Sequence, residues 1–447
     1  MINMNSSKNL TQWGKTLLIN LLVLLAFLEL GSLFFYWINN QQFFYTRRRN
    51  ESSETQNLNL EMGSIRLGES IIERLHPFFG YVQKPEQIPH LKKFDIRYND
   101  YGFISAYEYP LIKQDENQFI VGVFGGSVAS RYSVNEIKNN ILEQALQQLP
   151  DLKNKEVIIL SFATGGYKQP QQLLILNYML ALGQNFDLVI NIDGFNEVAL
   201  SNLNNKTQLA WMMPSGNHVF SLASLATNSL STETLENLLN IKKIKPQLTE
   251  AINLREQCDL ATCYTLYSIY YQFILNDYQK AIAVFEEEQK KQIPSLFSKQ
   301  SPFYFYPQES TLSHPELYNS VAKNWGKTSF LMSQILAKRN IPYFHFIQPN
   351  QYYPTQRQFS EAEKRIAFTD ASPYAEAIQE GYPYLLNQVD DLRSRGVNIF
   401  NSVAILDNID DVVYLDNCCH YNEEGETVLS NYIANNIVNT LKKSSNN

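Results

Sequence analysis

Phe119-Ile120-Val121-Gly122-Val123-Phe124-Gly125-Gly126-Ser127 is an apolar run that meets two glycines and stops at a hydroxyl. A buried strand of an open α/β sheet reads this way, and such a sheet keeps its ligand crevice outside the carboxyl ends of its strands. Glycines ahead of the serine let the backbone turn sharply and let a substrate come close. Taken alone, Gly-Gly-Ser also fits an ordinary turn from strand to helix. The rest of the chain has to decide between the two.

Outward from that run, apolar strands alternate with amphipathic helices. Strands are predicted at Phe119–Phe124, Val157–Phe162, Leu188–Ile192, Tyr343–Ile347 and Val397–Phe400. Helices are predicted at Val134–Leu149, Gln169–Leu182, Ser320–Arg339, Pro383–Arg395 and Thr427–Leu441. Continuous apolar strands between helices imply an α/β fold with a parallel sheet covered on both faces. A long insertion, about 200–320, follows the carboxyl end of the third strand and is expected to cap the site. Within it Leu248–Lys291 is predicted helical, and Glu286-Glu287-Glu288 before Lys290 and Lys291 reads as a solvated face.

The 447 residues suit one large domain with appendages, and 44% hydrophobic with 18% charged residues is ordinary for a packed core. A net charge of -7 argues against a nucleic-acid surface, which needs a basic stripe. Residues 1–15 read as a tail and 16–38, almost wholly apolar, as a transmembrane helix flanked by Trp13 at one end and Tyr36 and Trp37 at the other. No Ala-x-Ala site follows the apolar run, which favours an uncleaved anchor over a signal peptide. Glu29 inside that run should face a partner helix or be protonated. Lys8 and Lys15 before the span nearly balance Arg47, Arg48 and Arg49 after it, so charge does not orient it. Residues 39–70 are polar and read as a juxtamembrane linker, and 71–447 as the globular body.

Four cysteines are present: Cys258, Cys263, Cys418 and Cys419. None is spaced Cys-x-x-Cys and no histidine cluster accompanies them, which argues against a zinc site. Cys258 and Cys263 read equally as a local disulfide or as buried thiols.

Acyl transfer needs a nucleophile, a base, a group that orients the base, and donors for the oxyanion. Each is present near a strand end: Ser127 after the first strand, Gly165-Gly166 after the second, Asn196 after the third, and Asp416 with His420 before the last helix. In a doubly wound sheet these points converge on one crevice. Singly they have plainer readings. Asn196 also fits a helix cap, His420 a core histidine, and Asp193 a partner for a backbone turn. His345, between Phe344 and Phe346 inside a strand, reads as a hydrogen-bonded core histidine.

Together these runs resemble the SGNH (GDSL-type) hydrolase superfamily. Gly125-Gly126-Ser127 is similar to its first block with glycine in the middle, Gly166 to the glycine of its second, and Gly194-Phe195-Asn196-Glu197 to its Gly-x-Asn-Asp block. Asp416 and His420 are similar to its Asp-x-x-His block with one extra residue, so that Asn417 stands where the acid usually does. The resemblance covers about 119–200 and 340–442. It implies a flavodoxin-like three-layer αβα sandwich and serine esterase chemistry. Ser127 would be the nucleophile, His420 the base and Asp416 its orienting acid. The Ser127 and Gly166 backbone N–H groups and the Asn196 side chain would form the oxyanion hole, and no metal or organic cofactor is implied. The extra residue is met either by a bulge that lets Asp416 reach His420 or by weak catalysis.

Two upstream segments, Gly80–Pro85 (Gly-Tyr-Val-x-Lys-Pro) and Asn99–Phe103 (Asn-x-x-Gly-Phe), resemble membrane-anchored members of the superfamily. That likeness implies an extracytoplasmic (periplasmic or cell-surface) body acting on ester groups, O-acetyl foremost, of an envelope glycan, either removing them as a carboxylic ester hydrolase or transferring them as an O-acyltransferase. Glu29 in the span and the large cap favour a membrane-protein partner. An inactive glycan-binding assembly protein and a lipid esterase or thioesterase are the competing readings.

Overall fold

The computed structural model describes residues 5–40, 43–46, 73–226, 232–296 and 310–445. Most of the expected linker 39–70 lies outside the described residues. The chain divides into two compact units, one of residues 1–59 and 231–288, the other of 60–230 and 289–447.

In the second unit the strands are β1 (Glu73–His76), β2 (Gly80–Gln83), β3 (Glu86–Gln87), β4 (Arg97–Tyr98), β5 (Ile104–Ser105), β6 (Gln118–Gly125), β7 (Glu156–Ala163), β8 (Leu188–Asp193), β9 (Tyr343–Ile347) and β10 (Asn398–Asn401). The last five form one sheet in the order β10-β9-β8-β6-β7, with every pairing parallel. Counted from β6, this is the doubly wound order 2-1-3-4-5, whose switch point lies between β6 and β8. Ser127 follows β6 directly, so the run that opened the reading ends at that crevice.

The helices, numbered along the whole chain, are α1 (Asn5–Asn40), α2 (Ser127–Asn139), α3 (Ile141–Leu146), α4 (Gln171–Ala181), α5 (Phe195–Lys206), α6 (Gly216–Ala226), α7 (Thr232–Glu256), α8 (Ala261–Leu296), α9 (His314–Ala337), α10 (Glu361–Ala367), α11 (Ala375–Ser394) and α12 (Glu423–Ser445). Around the sheet they fall into two packed groups, α2 and α3 with α12, and α4, α5 and α11 with α9. The β6 side chains Ile120, Val121, Val123 and Phe124 are wholly buried. Burying a side chain of that size stabilises the fold by ~1.5–3 kcal/mol, so the central strand is strongly specified.

Two helix expectations need correction. Val134–Leu149 is not one helix: α2 starts at Ser127 itself, and Asn140, at φ 54°, separates it from α3. The break is held by Glu136, whose Oε2 accepts the Leu142 N–H at 2.7 Å. Leu248–Lys291 is likewise two helices, α7 and α8, with Cys258 and Cys263 joined by a disulfide at the turn.

In the first unit α1 contains Ile19–Ile38, a segment long and apolar enough to cross a membrane. Glu29, in the middle of that segment, meets the start of α8. Its carboxylate accepts the N–H groups of Ala261 (2.7 Å) and Thr262 (2.9 Å), the Thr262 hydroxyl (2.7 Å) and the Tyr45 hydroxyl (2.6 Å). A carboxylate at a helix N-terminus satisfies donors that the helix itself leaves open. This explains why a charge is retained among apolar residues. Tyr36, Phe44 and Ala261 pack together beside it, and Arg255 of α7 lies over the rings of Tyr264 and Tyr271 of α8.

Candidate active site

Ser127 opens α2 at the end of β6 and is half-buried. His420 Nε2 lies 2.7 Å from Ser127 Oγ, and His420 Nδ1 lies 2.6 Å from Asp416 Oδ2. These are hydrogen-bond distances for a nucleophile, a base and the group that orients the base. Asp416 Oδ1 accepts the N–H groups of Cys418 (2.9 Å), Cys419 (3.0 Å) and His420 (3.3 Å). The extra residue between acid and base is therefore taken up in a tight turn wound around the Asp416 carboxylate. Its other oxygen is left aimed at the imidazole. The Asn417 backbone oxygen instead accepts a hydrogen bond from the Tyr352 hydroxyl at 2.9 Å.

Electrostatics follow from this geometry. Burial pushes the Asp416 carboxyl up, but the His420 charge, the His420 hydrogen bond and the turn N–H groups outweigh it and hold it below the usual carboxylate value. Burial pulls the His420 imidazole down, but the neighbouring Cys419 sulfur and the Asp416 carboxylate outweigh it and hold it above the usual histidine value.

The oxyanion candidates also converge. Asn196 Nδ2 donates to Tyr167 O at 2.8 Å, and Tyr167 directly follows Gly166. An amide nitrogen carries two N–H groups, so this bond uses one of them. A Cβ on Gly126 would collide with Asn196 Nδ2, so glycine at 126 is what lets the amide approach the turn that carries Ser127. Gly166 sits at φ 77°, and a Cβ there would lie 2.6 Å from His218 Nε2 and from the Tyr81 hydroxyl. Asn196 stands in the first turn of α5, whose entry is fixed by Glu197: its Oε2 accepts the Gly194 N–H at 2.8 Å and its Oε1 the Gln169 N–H at 3.0 Å.

The other singled-out side chains bond to one another in the core. His345 is fully buried, 2.7 Å from Asp193 Oδ1 and 2.8 Å from Ser329 Oγ. The Asp193 side chain binds this histidine, Trp325 and Asn191 rather than a backbone turn.

Several supports escaped the sequence reading. Arg131, one turn beyond Ser127, bonds Glu426 at 2.5 Å and Tyr421 O at 3.0 Å, which ties α2 to the histidine turn and to α12. Asn350 Nδ2 and Gln351 Nε2, just past β9, donate to Cys418 O (2.8 Å) and Asp416 O (3.1 Å). Position after a parallel strand was the signal available for that segment. A buried Glu73–His218 pair, 2.8 Å apart, lies beside Gly166, and no sequence pattern marked it.

Neither protein-family models nor curated proteins give a match to this chain.

Proposed function

We propose that this chain is a membrane-anchored serine esterase of SGNH type, with that superfamily's flavodoxin-like three-layer sandwich, acting on ester groups of an extracytoplasmic glycan, O-acetyl foremost. The observation that carries the reading is the Ser127–His420–Asp416 chain of hydrogen bonds, at 2.7 and 2.6 Å, at the carboxyl end of β6. Ser127 Oγ passes its proton to His420 Nε2 and attacks the acyl carbonyl. The Ser127 and Gly166 N–H groups and the Asn196 amide receive the developing oxyanion. His420 then protonates the departing sugar oxygen, which leaves as a hydroxyl, and water releases the acyl group by the same route in reverse.

Anchoring rests on α1, and the glycan substrate and external body rest on the two upstream segments. Those segments support each other in space. Asn99 Oδ1 accepts the Phe103 N–H at 3.0 Å, and the Gln83 N–H reaches Gly102 O at 3.3 Å.

The test is hydrolysis of short-chain acetyl esters and acetylated oligosaccharides by the full chain in detergent, against Ser127→Ala and His420→Ala. Activity lost in both variants supports the reading. Folded wild type no faster than Ser127→Ala contradicts it.

A further inference from the structure

The catalytic histidine has two thiols for neighbours. Cys418 Sγ and Cys419 Sγ are 3.1 Å apart, and Cys419 Sγ is 3.9 Å from His420 Nε2. The two sulfurs and a ring nitrogen of His420 all lie within 4.8 Å of one another. Neither cysteine is in a disulfide. Cys418 is half-exposed, which gives an ion a way in, whereas Cys419 is buried.

We infer that Cys418, Cys419 and His420 Nε2 form a site for a thiophilic divalent cation, zinc being the natural type, and that its occupation switches the esterase off. The inhibitory half of this inference rests on the proposed triad; the binding half does not.

The donor set is that of zinc chemistry, two sulfurs and one imidazole. Zinc–sulfur bonds of ~2.3 Å and zinc–nitrogen bonds of ~2.0–2.1 Å give tetrahedral edges of roughly 3.5–3.8 Å. The 3.9 Å sulfur–nitrogen edge has to close by roughly 0.3–0.4 Å and the 3.1 Å sulfur–sulfur edge to open by roughly 0.6–0.7 Å, shifts within reach of side-chain rotation. The turn presents its donors in a fixed array, because the Asp416 carboxylate holds the N–H groups of all three residues. His420 also has the support that metal-binding histidines use, since its other nitrogen is bonded to a carboxylate. Adjacent cysteines are not among the spacings by which zinc motifs are recognised, so the sequence pattern did not reveal the site.

The step balances simply. One M²⁺ displaces two protons from the Cys418–Cys419–His420 cluster and is bound by two thiolates and a neutral imidazole, leaving a neutral core and releasing the two protons to solvent. The Nε2 lone pair then points at the metal and no longer accepts the Ser127 proton. A fourth ligand comes from water or the Ser127 oxygen.

The experiment uses the full chain in detergent, stripped of metal and reduced gently enough to keep the Cys258–Cys263 bridge, and titrated with cadmium ion. Two readouts run together: the ultraviolet cadmium–thiolate charge-transfer band, and the rate of Ser127 labelling by a fluorophosphonate. Expected is a band saturating at one cadmium per chain. At free cadmium ten times the dissociation constant, labelling should fall to ~1/11 of its metal-free rate by simple mass action. Cys418→Ser should lose the band, and its labelling, referred to its own metal-free rate, should no longer respond to cadmium. His420→Ala should keep the thiols and bind cadmium more weakly by at least the ~10- to 100-fold that loss of a mere outer-shell partner costs. Absence of the band in folded wild type overturns the site. A band with unaltered Ser127 labelling overturns the switch. Should Ser127 not label even without metal, the esterase reading fails while the band still reports the site.

Discussion

Asp416→Asn isolates the one feature in which this site departs from its expected spacing. Asp416 uses Oδ1 for three turn N–H groups and Oδ2 for His420 Nδ1 at 2.6 Å. In the variant the amide oxygen keeps the three N–H groups, because only it can accept them. The amide nitrogen then faces His420 Nδ1 as a donor. The imidazole must offer Nδ1 as an acceptor and carry its proton on Nε2, which points at Ser127 Oγ from 2.7 Å. A base already protonated on that nitrogen cannot take the serine proton. The same change of tautomer costs ~10,000-fold in kcat in other triads, or ~5.4 kcal/mol at 1.36 kcal/mol per decade. The turn and the substrate contacts persist, so KM and the melting temperature should change little. Steady-state hydrolysis of an acetyl ester by the full chain in detergent gives kcat and KM. Adding Asn417→Asp to the variant should not restore the rate, because the turn aims position 416 and not 417 at the histidine. A loss smaller than the ~100-fold that general-base assistance alone contributes, or rescue by Asn417→Asp, would refute the reasoning.

Asn196→Ala removes a charge-stabilising donor and should lower kcat ~100- to 1000-fold with KM nearly constant; a change within a few-fold in the same assay removes Asn196 from the oxyanion hole. His420 acts as a base only when unprotonated, and its neighbours hold its pKa above the usual value. Activity in metal-free buffer should therefore rise with pH through a midpoint above ~6.5, the ordinary histidine value; a kcat/KM profile with its midpoint at or below that value contradicts this. Glu29→Ala strips the cap from α8, leaving two backbone N–H groups and two hydroxyls without their carboxylate. Losing a helix cap costs ~0.5–2 kcal/mol, so limited proteolysis within 232–288 should speed up while Ser127 reactivity is retained; unaltered cleavage argues against the contact.

The parallel sheet was legible because each of its five strands is a short apolar run bounded by turn residues, and Leu188 and Tyr343 begin strands where the pattern places them. The two helix corrections have local causes that periodicity does not carry. At Asn140 a left-handed residue and one carboxylate stop a helix whose apolar stripe continues, and at Cys258–Cys263 a crosslinked turn does the same. Ser127, Gly166 and Asn196 could be singled out because ligand crevices of such sheets lie just past strand ends, and His420 because it stands just before the last helix. Whether Asp416 reached His420 depended on the path of a five-residue turn. That path is set by side chains distant in sequence, such as Asn350 and Gln351, which hold its carbonyl groups. The Glu73–His218 pair and the Arg131 brace were hidden for the same reason: a charged residue in an unpatterned segment does not declare its partner.

The most direct test of the central claim is covalent. The full chain in detergent, free of metal, is treated with a fluorophosphonate and the adduct is located by peptide mass spectrometry. Expected is one adduct per chain on Ser127, abolished in His420→Ala by loss of the base and in Ser127→Ala by loss of the nucleophile. A folded chain that remains unlabelled, or that is labelled at another residue while Ser127 is untouched, would contradict a serine nucleophile at the end of β6.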